Sequence, residues 1–364
     1  MKVRKSWRFL GLCLLVVLVS LGVMLAGCES AGAGDNDSEN GDDGDSFRAV
    51  QIGIDGWSTW FHVIDSEVEG DLFKATLTRI SDQDPEEGAS FELDWAVESG
   101  NVLTLSTEEA VFALGRLNLT GDTYVSRDED LTDDEGSLGV GVKAATDASN
   151  ATLSGDYFVG MVHSDTTEER PGYFSGYARM DFDGAGTVEV TDMVNDVDGF
   201  TDYPVGSSYS YSVTSSGLLS IDDESFPRDL IGAVRSDGEL FVLAETRGTP
   251  ERPDNSYKTI FVGVKQSQAA TNALLEGTWD VCSSCSKLTT ETTGWWEGAA
   301  EMVIDAEGAE DMGLSETGEF TVPSRAISRE GAVTPSGDTM VIVVYPKEHP
   351  EDGDYCLSIG IKTP

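Results

Sequence analysis

From Phe47 onward the chain is written in short runs of Val, Ile, Tyr, Phe and Thr, four to nine residues long, separated by Gly, Asp, Ser and Asn. Tyr209-Ser210-Tyr211-Ser212-Val213 shows the alternation most plainly: every second side chain can enter a core while its neighbour meets water. Between residues 147 and 268 this texture predicts eight strands, at Tyr157–His163, Tyr173–Phe182, Thr187–Met193, Ser208–Val213, Leu218–Ile221, Leu230–Arg235, Leu240–Thr246 and Lys258–Lys265.

The pattern repeats. Gly115 and Gly121, Gly232 and Gly238, and Gly331 and Gly337 are glycine pairs at one spacing, and each second glycine opens a similar phrase: Gly121-Asp122-Thr123-Tyr124-Val125, Gly238-Glu239-Leu240-Phe241-Val242, Gly337-Asp338-Thr339-Met340-Val341. A closing strand follows each, ending in Val142-Lys143, Val264-Lys265 and Ile361-Lys362. Gly100 and Gly217 each stand 15 residues before the first glycine of their pair. The repeat divides the chain into modules at 47–146, 147–268 and 269–364, the third shortened between Trp296 and Gly331.

The predicted fold class is mainly β, as tandem antiparallel up-and-down barrel-like modules, because closure removes the unpaired edges of sequential hairpins. Leu275-Glu276-Gly277-Thr278-Trp279 resembles the first-strand motif of lipocalins and other calycins, which implies that Trp279 plugs one end of a barrel; Tyr157 stands in that place in the second module. A β-propeller is the alternative, since some two dozen short strands taken in fours make roughly six blades.

The first residues carry an address. Lys2, Arg4, Lys5 and Arg8 precede an uncharged apolar run from Phe9 to Leu25, the layout of a secretory signal over residues 1–27. Leu25-Ala26-Gly27-Cys28 resembles the lipobox of bacterial lipoproteins, which implies cleavage before Cys28 and attachment of membrane lipid to its sulfur. Two or three acyl chains, at about 0.8 kcal/mol per buried methylene, make an effectively permanent anchor. Glu29 stands where the retention signal of enteric inner-membrane lipoproteins usually has aspartate, so the resemblance implies the outer membrane of the cell envelope. Residues 28–46 read as an acidic flexible tether, for they have no large aliphatic or aromatic side chain to bury.

Charge narrows the partners. The chain has 66 Asp and Glu against 23 Lys and Arg, and removal of the signal takes four of the bases and none of the acids. Nucleic acid and anionic headgroups are disfavoured by repulsion. Aspartate clusters at 35–41, 181–184 and 195–199 lack the ligand spacing of a calcium loop, and Asp-Gly is first a turn signal, so no metal site is assigned.

Of the chemistry-bearing residues, Cys282, Cys285 and Cys356 fall in the third module. Cys282 and Cys285 follow its opening strand and Cys356 begins its closing strand, which are neighbours in a barrel, so a disulfide from Cys356 to either would clamp the seam. Cys282-Ser283-Ser284-Cys285 also has redox-dithiol spacing, but in a β context with only Lys287 nearby to stabilise a thiolate. No Gly-x-Ser-x-Gly elbow, zinc helix or phosphate loop is present, and His62, His163 and His349 sit at unrelated positions. No catalytic residue and no cofactor is assigned. Trp57, Trp60, Phe61, Trp295 and Trp296 are the candidate ligand-contact aromatics, with core packing as the alternative. The expected function is that of a non-enzymatic envelope lipoprotein that binds a small molecule, a glycan or an envelope protein. A hydrolase on a propeller scaffold and a structural or adhesive surface protein are the other two classes.

Overall fold

A computed structural model describes residues 47–363 except 56–57, 70–71, 80–89, 99–100, 107–110, 129–134, 166–171, 195–203, 222–229, 246–256, 289–292, 322–326 and 347–352. The signal, Cys28, the tether and the aspartate cluster at 35–41 lie outside the described residues, as do the cluster at 195–199, His349 and Trp57.

The first eight strands are β1 (Phe47–Asp55), β2 (Ser58–Glu69), β3 (Leu72–Arg79), β4 (Ser90–Glu98), β5 (Val102–Ser106), β6 (Val111–Leu117), β7 (Thr123–Asp128) and β8 (Glu135–Lys143). They pair in sequence, and β1 returns to β8 to close a barrel. A second closed barrel holds β9 (Ser154–Asp165), β10 (Gly172–Asp183), β11 (Thr187–Val194), β12 (Ser208–Val213), β13 (Leu218–Ile221), β14 (Leu230–Val234), β15 (Leu240–Glu245) and β16 (Tyr257–Lys265). All eight strands expected there are present. In β12 the burial alternates as the sequence alternates, with Tyr209 and Tyr211 inside and Ser208 and Ser210 exposed.

The remaining strands are β17 (Gly277–Leu288), β18 (Thr293–Ile304), β19 (Glu319–Thr321), β20 (Ile327–Val333), β21 (Thr339–Pro346) and β22 (Gly353–Thr363). They form an open six-stranded sheet in the order β18-β17-β22-β21-β20-β19. A short helix, α1 (Ala306–Asp311), follows β18 and is capped by Asp305, whose side chain accepts from the Gly308 amide. The strands therefore close into barrels or a barrel-like sheet, and the propeller alternative is set aside. Its hydrolase reading loses its scaffold with it.

The repeated glycines have one explanation. In each closing strand a glycine, Gly141, Gly263 or Gly360, lies opposite a large side chain of the preceding strand, Tyr124, Phe241 or Met340. A Cβ at these glycines would stand 2.1, 2.1 and 2.6 Å from atoms of those side chains. Each large side chain thus lies flat across the closing strand and fills its sheet's interior. The second glycine of each pair, Gly121, Gly238 or Gly337, has φ of 70°, 72° and 72°, the left-handed conformation its hairpin turn needs. At the earlier turn positive φ falls on Asn101, Gly217 and Gly318. The counterpart of Gly217 is therefore Asn101 rather than Gly100, and asparagine tolerates that conformation better than most residues.

The second barrel is filled. Phe182 meets Tyr157, Tyr211 and Phe241 with ring centroids 5.0–5.4 Å apart, and Met161, Met180, Leu219 and Leu243 pack around them. Tyr211 donates to the carbonyl of Leu153 at 2.8 Å, and Tyr157 donates to that of Gly238. Trp279 fills the same place in the third sheet, where its indole donates to the Leu275 carbonyl at 2.8 Å and the Lys362 ammonium sits over its ring.

The last two strands of each module, β7 and β8, β15 and β16, and β21 and β22, are buried on both faces where they pair. Behind the interior-facing side chains, the pairs Val125–Val140, Val242–Val262 and Val341–Ile359 point outward into one cluster shared by all three sheets, with Val142, Val264 and Ile361 beside them. Every one of these is at most 1% exposed. Burying a side chain of this size contributes roughly 1.5–3 kcal/mol. The two barrels and the sheet are consequently joined by a core that none of them contains alone.

Candidate functional site

At one end of the shared core the three repeated turns converge. Their first residues are Asn118, Arg235 and Thr334, and each turn closes the same way, through amide-to-carbonyl bonds of 2.8–2.9 Å from Asn118 to Thr123, Arg235 to Leu240 and Thr334 to Thr339. In two turns the first side chain caps the turn. Asn118 Oδ1 accepts from the amides of Asp122 and Thr123, and Thr334 Oγ1 accepts from those of Asp338 and Thr339. An arginine cannot accept, so in the second turn Asp237 takes over and accepts from the Glu239 amide. The Arg235 side chain is released toward its counterparts.

Its guanidinium, 1% exposed, donates to Asp338 and Asp237 at 3.0 and 2.9 Å, to Glu239 at 3.1 Å and to Asp122 at 3.4 Å. Asn118 also donates to Asp338 across the junction, at 3.3 Å. Burial disfavours the charged guanidinium, but the surrounding carboxylates, Asp338 foremost, outweigh it and hold Arg235 charged. For Asp338 burial raises the pKa, yet the charge and hydrogen bonds of Arg235, with hydroxyl bonds from Thr334 and Ser336, leave it below the usual carboxylate range. Arg235 and Asp338 are buried at its centre while Asp237 reaches the surface, and the bonds from Arg235 to Asp122 and Asp338 lock the three parts together. Sequence reading passed over Arg235; the signal was a cation at a repeated position whose counterparts are uncharged.

Two clefts open between the parts. One, of about 270 Å³, lies between the first barrel and the third sheet, with a floor that includes Val102, Leu114, Val281 and Ile361. The Arg116–Asp280 ion pair spans it, and Cys282 lines it. Burial and the nearby Glu301 raise the Asp280 pKa against the pull of Arg116. The other cleft, about 540 Å³ between the second barrel and the third sheet, is lined by polar groups that include Asp156, Lys265, Gln266 and Glu316. Beside it Arg179 and Gln266 both bond Glu319, tying the two parts together.

Cys285 is bonded to Cys356, directly opposite it on β17 and β22, across a loop of 71 residues in sequence. Cys282 takes no part in the bridge and is buried. The backbones of Trp60 and Phe61 lie in β2 and those of Trp295 and Trp296 in β18; their side chains lie outside the description. Of the aspartate clusters, 181–184 ends β10 and leads into a turn: Asp183 accepts from the amides of Ala185, Gly186 and Thr187 at 2.7–2.9 Å. Those bonds hold its carboxyl below the usual range. Among the described residues no three His, Cys, Asp or Glu side chains are grouped to hold a metal ion.

No protein-family model and no curated protein matches the chain. Among solved structures it is similar to a protein of unknown function from the DUF3598 family of Nostoc punctiforme PCC 73102, at 7% identity and a TM-score of 0.21, over 87% of this chain and 94% of that one. It is also similar to the vaccine antigen transferrin binding protein B of Haemophilus parasuis Hp5 in two mutant forms. These match at 8% and 6% identity and TM-scores of 0.28 and 0.27, each over 88% of this chain and 76% of that one.

Proposed function

We propose that this chain is a lipid-anchored protein of the bacterial cell envelope, held to the outer membrane through Cys28, that binds another protein with the outer surface of a rigid β body. The observation that carries the binding reading is the packed core of the second barrel: Tyr157, Phe182, Tyr211 and Phe241 close one end of it and Met161, Met180, Leu219 and Leu243 pack around them, which favours a scaffold over a calyx. The shared core supports the same reading, because a surface spread over three sheets keeps its shape only if they cannot rotate against one another. The anchor rests on the signal and Leu25-Ala26-Gly27-Cys28. A small amphiphilic ligand is the second reading, favoured by the apolar cleft that Arg116 and Asp280 span.

The test pairs metabolic labelling by an alkyne fatty acid with photo-cross-linking in intact cells. Expected are a lipid label that Cys28→Ala abolishes, recovery in the outer-membrane fraction, and one reproducible protein adduct. An unlabelled soluble chain would end the anchor reading. Labelled chain with no protein adduct would move the cleft ligand to the front.

A further inference from the structure

The repeat tells what the third sheet lacks. Its opening strand β17 corresponds to β1 and β9, its closing strand β22 to β8 and β16, and β18 to β2 and β10. The turn glycine Gly318 corresponds to Asn101 and Gly217, which makes β19 the counterpart of β5 and β13. Nothing corresponds to β3 and β4, or to β11 and β12: between Ile304 and Glu319 the chain forms only α1 and turns. The third sheet is a barrel two strands short, and its seam is open between β18 and β19.

The two borders of that seam differ. On the β19 side the Thr321 amide bonds the Met312 carbonyl, so the segment after α1 already takes part of that edge. On the other side β18 pairs with β17 alone among the described residues. By register, Ala299–Ile304 occupies the place of Tyr177–Phe182 in β10, the stretch that β11 covers in the second barrel. Natural edge strands are usually blunted by proline, a bulge or a charge. This stretch has no proline, its register with β17 runs unbroken, its one charged side chain is the exposed Glu301, and Val303, 69% exposed, stands where β10 carries Asp181.

Charge selects the occupant. From Thr293 to Ser324 there is no Lys or Arg, while Glu301, Asp305, Glu307, Glu310, Asp311 and Glu316 are exposed. A second copy would bring the same acids against these, and the chain's own residues 28–46 are acidic too. We propose that the outer edge of β18 is a strand-addition site for an extended basic segment of a partner protein. Main-chain hydrogen bonds to the edge supply the pairing, Val303 offers an apolar contact, and the acids favour lysine or arginine at alternate positions.

The inference rests on the protein-binding reading and can fail without it. The probe is a capped ten-residue peptide of alternating lysine and valine, added to the purified full chain. Its expected signature is binding accompanied by slowed hydrogen exchange at the amides of 299–304. Affinity should fall roughly tenfold when alternate peptide nitrogens are methylated, and by a similar factor in Glu301→Lys/Val303→Lys, where both changed side chains are exposed. No binding, or binding that methylation leaves unchanged, overturns the proposal, for then at most the acids attract the peptide. Protection of β18 that rises with protein concentration and without peptide overturns it in favour of a second copy. If the in-cell protein adduct survives in Glu301→Lys/Val303→Lys, the edge is not the contact, while the binding reading stands.

Discussion

Arg235 in the second barrel donates from one guanidinium nitrogen to both carboxylate oxygens of Asp338 in the third sheet, at 3.0 Å each. The two residues are 103 positions apart and both buried. Removing the cation strands a buried carboxylate, which costs about 3–5 kcal/mol. Arg235→Met is therefore expected to lower the denaturation midpoint sharply. Arg235→Met combined with Asp338→Asn should recover part of the loss, since the uncompensated charge goes too. Urea denaturation of the four variants in that cycle measures both effects, and a fully additive cycle would contradict the pairing.

The same pair sets an acid response. Asp338 has a folded pKa below its unfolded value, despite the burial that pushes the other way, because Arg235 and the hydroxyls of Thr334 and Ser336 prevail. A lowered carboxylate pKa gives stability that is present above the unfolded value, near 3.9, and is lost as pH falls through the folded one. Wild-type stability should drop as pH falls below about 4. In Arg235→Met burial acts on Asp338 against only the hydroxyl bonds of Thr334 and Ser336, so its pKa stands higher than in wild type and protonation costs the variant less. The stability gap between wild type and Arg235→Met should narrow on acidification; denaturation midpoints between neutral pH and pH 3 read it.

Gly263→Ala would drive a methyl to 2.1 Å from the Phe241 ring, and the expected cost is about 1–3 kcal/mol. Phe241→Leu in the same chain should cost less than the sum of the two single changes, because the smaller side chain vacates that space. At Gly232 the obstacle is the Val242 carbonyl, 1.8 Å from a new Cβ, and no side-chain change can relieve it. Gly232→Ala should therefore be the more damaging substitution and should gain nothing from Val242→Ala. Thermal denaturation of the five variants distinguishes the two kinds of contact.

Non-reducing peptide mapping is expected to recover Cys285 joined to Cys356. Breaking the bridge by Cys356→Ser should cost about 2–4 kcal/mol, given the long loop it closes. Cys282→Ser should cost less, since it removes no cross-link. Cys282 joined to Cys356 in the map, or equal losses in the two variants, would contradict this assignment.

The strands of the second barrel were legible because local alternation and turn residues carry them, and the glycine spacings announced three related parts. The repeat could not reveal what joins those parts. Arg235 bonds Asp122 and Asp338 across more than a hundred positions in each direction, and no local pattern distinguishes it from a solvated arginine. The outward-facing valines were equally hidden, for Val242 and Val262 continue an apolar run whose other members face the barrel interior. The shortening of the third part was visible in its length. That it removes two specific strands and leaves an edge of β18 bare required the register.

The shared core also orders the assembly in time. β22 is the last of the twenty-two strands among the described residues, and Leu357, Ile359 and Ile361 on it complete the apolar cluster, while its Cys356 makes the bridge to β17. Until that strand is available, the two barrels present their valine-lined outer walls to water. A chain in which β22 has not yet docked is thus sticky, so a holdase that shields those walls has its greatest effect on this protein before the eleven-residue β22 pairs with β17 and β21.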